Sequence, residues 1–281
     1  MSGLRLKKLH DVSPFRKVAM GTWRTAKDPS VYGLIEVDIV KTTEAMEAYS
    51  QKHKIKVTLN HVIGKAMAII LKLRPELNGL LRGSRIYLRD SVSLNYLVNV
   101  PGQGDDHIKK ASLSSCTIHH AETKSVAEIA GELSAKVESV RANKDLFVSS
   151  NMAVFKIMPW WLSRYYLSFS SWLIYGLKLN LSWLGVPSDP FGSVMITNVG
   201  SLGIDYAWPP LVPYSRVPLL ITICAVQRKP VVCENDEIKA RDILPLTFTF
   251  DHRFVDGIHT SHMAKALRDI FADPNKFLFK D

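Results

Sequence analysis

The stretch LPLTFTFDHRFVDG (residues 244–257) reads as a strand that runs into a turn and opens a helix. Leu244, Leu246, Phe248 and Phe250 fall on one face, and Thr247 and Thr249 fall on the other. This period of two predicts a β-strand. A helical pattern follows from about Thr260 to Phe271 and is stopped at Pro274. Between the two lie His252, Asp256 and Gly257. Such a junction has two readings: a polar turn eased by a glycine, or a histidine base on a catalytic loop.

An imidazole with an ordinary pKa of about 6.5 can act as a general base near neutrality. Taking a proton from a thiol, with a pKa of about 8.5, costs it only about two units, which a closed site can offset. The thiolate could then attack a thioester, and the oxyanion that develops would need a donor already held in place. Asp256 could orient the imidazole directly or anchor the loop through an arginine. Gly257 is expected to let the chain turn tightly into the last helix.

The flanking chain is mixed in type. Residues 33–39, 193–199 and 219–226 read as strands, as do Arg85–Leu88 and Ser91–Val100. Helices are expected from about Thr43 to His53 and from Thr58 to the residue before Pro75. In the second, Val62, Ile63, Ala66, Met67, Ile70 and Leu73 recur at helical spacing. Ser125 and Glu128 form a capping box ahead of an apolar face of Ile129, Leu133, Val137 and Val140. This alternation predicts an α/β fold, a two-layer sandwich with a mixed sheet. Without repeats or a Gly/Ser/Pro-rich linker, residues 1–281 are expected to form one domain, with 1–15 as an N-terminal arm.

The segment 152–190 has a different character. Read as a helix, it puts Arg164, Ser168, Ser171, Tyr175 and Lys178 on a polar stripe. Leu162, Tyr165, Tyr166, Phe169, Trp172, Leu173 and Leu177 take the rest. Thirteen uncharged residues are too few to cross a bilayer, so residues 160–184 are expected to be buried, to meet a subunit, to wall an acyl site or to touch a membrane surface.

A net charge of +10 points to an anionic partner. The excess is dispersed, with no zinc spacing and no basic helix carrying aromatics, so nucleic acid is not expected. No HExxH, phosphate-binding glycine loop or GxSxG elbow occurs, and no metal is expected. Cys116, Cys224 and Cys233 form no CxxC pair and read as reduced thiols, and no secretory signal opens the chain. Cytoplasmic location is the expectation. His61 is expected to be a satisfied, partly buried histidine; His119, His120, His259 and His262 read as loop or surface residues.

LTFTFDHRFVDG, with the helix ending in ADPNKFLF, resembles the end of the catalytic domain of dihydrolipoyl acyltransferases, the core components of 2-oxoacid dehydrogenase complexes. That family shares the chloramphenicol acetyltransferase-like fold. SVMITNVGSLG (193–203), VPLLITICAV, FRKVAM, LIEVDI and NHVIGKAMAIILKLRPELNG (60–79) follow the family in order, and 152–190 resembles it least. The resemblance implies a coenzyme A-dependent acyltransferase acting on a dihydrolipoyl-like thiol. It implies His252 as base, Thr197 as the hydroxyl that steadies the oxyanion, and Asp256 braced by Arg16, with Gly257 and Asn198 supporting the site. It also implies a homotrimer, which could build further into a larger assembly, with histidine and hydroxyl supplied by neighbouring chains. Neither a lipoyl module nor a lipoyl attachment site precedes the catalytic region, so a free-standing enzyme is expected, using acyl-CoA and an unidentified acceptor. Transfer to a hydroxyl or amine is the alternative chemistry, and a catalytically silent scaffold is the alternative class.

Overall fold

The computed structural model describes residues 28–82, 85–100, 112–141, 159–177, 189–233 and 236–280. Its frame is a seven-stranded sheet in the order β1-β9-β7-β6-β4-β5, with β8 paired to β9. The strands are β1 (Ser30–Asp38), β4 (Leu94–Val100), β5 (Ser112–Ile118), β6 (Val194–Asn198), β7 (Leu219–Ile223), β8 (Gln227–Val232) and β9 (Ile238–Asp251). A separate hairpin joins β2 (Gly79–Arg82) to β3 (Arg85–Leu88). Among the described strands only the β4–β6 and β6–β7 pairs are parallel, so the sheet is mixed, as expected.

Helices α1 (Val40–His53), α2 (Leu59–Leu73), α3 (Val126–Arg141) and α5 (Gly257–Ala272) form the second layer, and the short α6 (Pro274–Phe277) ends the chain. In α2, Val62, Ile63, Ala66, Met67 and Ile70 are buried at helical spacing, while Leu73 faces solvent. The Ser125 box is present: Glu128 Oε2 accepts from the Ser125 N–H at 2.7 Å, and the Glu128 N–H donates to Ser125 Oγ at 3.2 Å. Leu244, Leu246, Phe248 and Phe250 meet the helical layer in the main core. Truncating Phe248 to alanine would cost on the order of 3–5 kcal/mol in lost burial and cavity.

The opposite face of β9 is also covered. Thr247 and Thr249 are buried and donate to the carbonyls of Ala207 and Pro209, on the chain that crosses this face. A second, small core of Met195, Val217 and Leu220, with Phe191, Leu211 and Val212 against it, lies on the outer side.

Helix α4 (Trp160–Ser171) runs into a single π turn, Trp172–Gly176, closed by the Leu177 N–H on the Trp172 carbonyl. Its C-terminal end turns polar groups inward. Ser171 and Tyr175 from the polar stripe are buried, whereas Tyr165, Phe169 and Trp172 are 66%, 57% and 47% exposed. The inward polar groups are satisfied: Tyr175 donates to Asp189 Oδ1 at 3.1 Å, and Ser171 Oγ accepts from Arg216 Nε at 3.0 Å. Among the described residues no helix is long and apolar enough to cross a membrane.

Candidate active site

The strand-to-helix junction is held from both flanks. The Asp251 N–H donates to the Pro218 carbonyl ahead of β7, and the His252 N–H donates to the Pro29 carbonyl ahead of β1, both at 2.9 Å. The N–H groups of Phe254 and Val255 return to the Asp251 carbonyl and close the turn. The backbone under His252 is therefore fixed while the side chain is exposed, and among the described residues its imidazole makes no hydrogen bond. A base that must reach a substrate proton gains from this combination of fixed mount and unpaired ring.

Sequence reasoning missed the pair beside it. Asp251 is buried and takes a two-pronged contact from Arg253, Nε at 2.9 Å to Oδ1 and Nη2 at 2.6 Å to Oδ2. The i, i+2 spacing across a turn was the available signal. The hydrogen bond to Asp251 holds the Arg253 guanidinium above its ordinary pKa. A bidentate guanidinium–carboxylate pair also fixes geometry, here that of the residues on either side of His252.

Asp256 caps α5. Its Oδ1 accepts from the N–H groups of Ile258 at 3.0 Å and His259 at 3.1 Å, and the His259 ring nitrogen Nδ1 lies 2.7 Å away. These bonds, the His259 N–H first, hold its carboxyl below the usual range. Among the described residues it contacts neither His252 nor an arginine; Arg16 lies outside them. Gly257 does not have the role expected of it. It is absent from the positive-φ glycines of the described chain, and a Cβ there would meet nothing within 4 Å. The tight turn is made before it, by residues 252–255, and Asp256 enters the helix from an extended conformation.

Thr197 is half-buried near the end of β6. Asn198 beside it donates to Asn60 Oδ1 at 2.7 Å and accepts from the Ser201 N–H at 3.1 Å, which ties the end of β6 to the start of α2. Thr197 lies level with Thr222 of β7, which lies level with Thr247 of β9. Thr247 precedes His252 by five residues, about 17 Å at the strand rise, and β6 is two strand spacings away from β9. Within one chain, Thr197 and His252 are thus roughly 20 Å apart.

The His252 turn stands between two hollows. One, of about 510 Å³, is lined by His252, Asp256 and Gly257 with Val31, Leu34 and Phe250. The other, of about 1010 Å³, reaches Asp251, Arg253 and Phe254 from the far side. His61 is buried as expected, with Nδ1 accepting from the Thr58 N–H at 3.1 Å, and burial lowers its pKa to about 4. His119 is more than a surface residue: half-buried, it lies 3.0 Å from Ser93 Oγ, and burial lowers its pKa. Among the described residues, no three metal-ligating side chains converge.

The chain is similar to the dihydrolipoyllysine-residue acetyltransferase component of the acetoin cleaving system of Bacillus subtilis (strain 168), 23% identical over 244 residues, or 85% of this chain and 48% of that protein. It spans about half or less of the curated relatives it matches. Among solved structures it resembles the cubic core of the pyruvate dehydrogenase multienzyme complex, with a TM-score of 0.63 at 20% identity over 96% of this chain and 94% of that one. Chloramphenicol acetyltransferase gives a TM-score of 0.51 at 13% identity over 91% and 94%. These likenesses establish the chloramphenicol acetyltransferase-like fold. With residues 7–149 and 191–279 matching its profile, the chain belongs to the family of the 2-oxoacid dehydrogenases acyltransferase (catalytic domain).

Proposed function

We propose that the protein is a coenzyme A-dependent acyltransferase that moves an acyl group between acyl-CoA and a dihydrolipoyl-like thiol. The observation that carries this reading is the His252 turn: it lies inside the matched family region, its backbone is held on both sides, and its imidazole makes no hydrogen bond among the described residues. His252 takes the thiol proton, the thiolate adds to the thioester carbonyl, and the oxyanion is met by a hydroxyl donor, for which Thr197 is our assignment. When the tetrahedral adduct collapses, the proton passes from His252 to the departing thiolate. Asp256 and Asn198 support this machinery by holding helix and strand ends. The separation of Thr197 from His252 in one chain favours a site completed by a neighbouring copy, and we infer a homotrimer.

The test is thioester turnover. Acyl-CoA donors of graded length are mixed with dihydrolipoamide, and free coenzyme A is followed for the wild type and for His252→Ala. Release that requires acceptor and falls about 10²- to 10⁴-fold in the variant is expected. Equal release by both proteins, or no binding of coenzyme A, overturns the reading. Binding without release to any thiol moves the chemistry to hydroxyl or amine acceptors.

A further inference from the structure

Five arginines, Arg74, Arg89, Arg228, Arg241 and Arg253, have a carboxylate within 4 Å. Arg82 and Arg216 do not, among the described residues, and both line the 1010 Å³ cleft behind the His252 turn. Each is half-buried and anchored by only part of its guanidinium. Arg82 donates through Nε to the Gly176 carbonyl at 2.8 Å. Arg216 donates through Nε to Ser171 Oγ and through Nη1 to the Leu81 carbonyl at 3.3 Å. Its charge lies 5.6 Å from the Tyr175 ring centroid, and burial pushes its pKa down.

Half-buried cations with unspent N–H groups and, among the described residues, no carboxylate within 4 Å are costly unless something anionic meets them. The cleft holds two carboxylates, both engaged: Asp251 on Arg253, and Asp28 on the Ser30 N–H and hydroxyl. The remaining wall is apolar, with Trp172, Leu211, Val212, Val217 and Phe254. Trp172 and Gly176 come from the segment that the family profile leaves unmatched. Arg216 itself has a left-handed backbone, φ 54°, uncommon for a side chain of its size.

We propose that Arg82 and Arg216 form an oxyanion site for an amphipathic ligand, whose carboxylate or phosphate they bind while its hydrocarbon part lies along Trp172, Val217 and Phe254. The site extends the acyl-transfer reading, on which it rests for its meaning, because the cleft ends at the turn that carries His252. An arginine fork matches either oxyanion, and its unspent N–H groups supply the bonds.

Calorimetric titration of the full chain with decanoate, decyl phosphate and 1-decanol, all below micelle formation and without coenzyme A, tests this directly. At least one anionic probe should bind, and 1-decanol should bind about tenfold or more weakly, since it offers the chain without the charge. A preference for decanoate would mark an acyl carboxylate as the ligand group, and a preference for decyl phosphate a phosphate. Arg82→Gln and Arg216→Gly should each lose about tenfold or more, and the exposed Arg85→Gln should bind like the wild type. Glycine accepts the left-handed backbone at 216, so that variant separates a lost guanidinium from a lost fold. Equal binding of decanol and the anions, wild-type binding by both cleft variants, or no binding of either anion would overturn the site. Because no turnover is read, such a failure leaves the acyl-transfer reading to its own assay.

Discussion

Asp256 engages His259 twice, accepting from its backbone N–H at 3.1 Å and lying 2.7 Å from its ring nitrogen Nδ1. This makes the aspartate of the DHRFVDG stretch a helix cap first, and it fixes the way out of the His252 turn. Asp256→Ala should lower the melting temperature and the turnover together, because the first N–H groups of α5 lose their acceptor. Asp256→Asn should retain most of both, since asparagine caps equally well. If alanine and asparagine behave alike in thermal melts, the cap is not what the residue supplies. The folded-state pKa is depressed, so the carboxylate stabilises the protein above the ordinary value near 3.9 and stops doing so as pH falls through the lower folded value. The difference between wild type and Asp256→Ala should therefore begin to shrink as pH falls below the ordinary carboxylate value and vanish only below the lower folded value.

His61 titrates in the opposite chemical sense with the same outcome. Its Nδ1 must stay an acceptor for the Thr58 N–H, and burial lowers its pKa from 6.5 to about 4. In that interval the unfolded chain binds a proton that the folded chain refuses. Stability contributed by the neutral ring is full above pH 6.5 and is lost as pH falls toward 4, on the order of 2–4 kcal/mol in all. Urea midpoints measured from pH 7.5 to 4.5 should fall for the wild type and fall less for His61→Gln. Parallel curves would show that another group governs acid sensitivity.

Gly64 sits on α2 where the helix crosses β4. A Cβ there would stand 1.8 Å from the Tyr96 hydroxyl oxygen. Gly64→Ala should cost about 1–3 kcal/mol through overpacking. Tyr96→Phe removes the clashing oxygen, which makes only a long 3.4 Å bond to the Asn60 carbonyl. The double variant should recover part of the loss, part only because Tyr96 Cζ and Leu94 Cδ1 remain at 3.0 and 3.1 Å. Additive losses in denaturant melts would mean that the helix had moved away from β4 instead.

The frame of this fold is legible in short-range pattern. Phe248 and Phe250 alternate with threonines, and Ser125 and Glu128 mark a helix start, because local chemistry decides both. What pattern could not carry is long-range. Thr247 and Thr249 look like a solvent face, yet the chain at 207–209 returns to accept their hydroxyls. The polar and apolar stripes of 160–177 were separable in sequence, but that Ser171 and Tyr175 turn inward depends on Arg216 and Asp189, their distant partners. Strand β5, with five hydroxyl or thiol side chains in seven residues, has no strong alternation and went unread. At the candidate site, His252 and Asp256 were singled out from spacing, whereas the Asp251–Arg253 pair was overlooked and Gly257 was assigned a backbone role that the turn does not need.

The separation of Thr197 from His252 leads to the sharpest prediction. If each site takes its base from one copy and its hydroxyl from the next, Thr197→Ala should cost about 10²- to 10³-fold and Thr197→Ser far less. Chains carrying His252→Ala alone or Thr197→Ala alone cannot form an intact site. Co-expressed in equal amounts, they can. A site is whole where a Thr197→Ala chain, which still has its histidine, meets a His252→Ala chain, which still has its threonine. Random assembly into rings of three makes this true of about a quarter of the sites, so roughly a quarter of wild-type turnover should return. Tagging the two chains differently and purifying through both tags leaves only mixed trimers, in which one site of three is whole, so about a third of wild-type turnover is expected from that fraction. Mixed oligomers no more active than the two parents would place both groups in a single chain's site, against the distance that the sheet imposes, or would remove Thr197 from the mechanism.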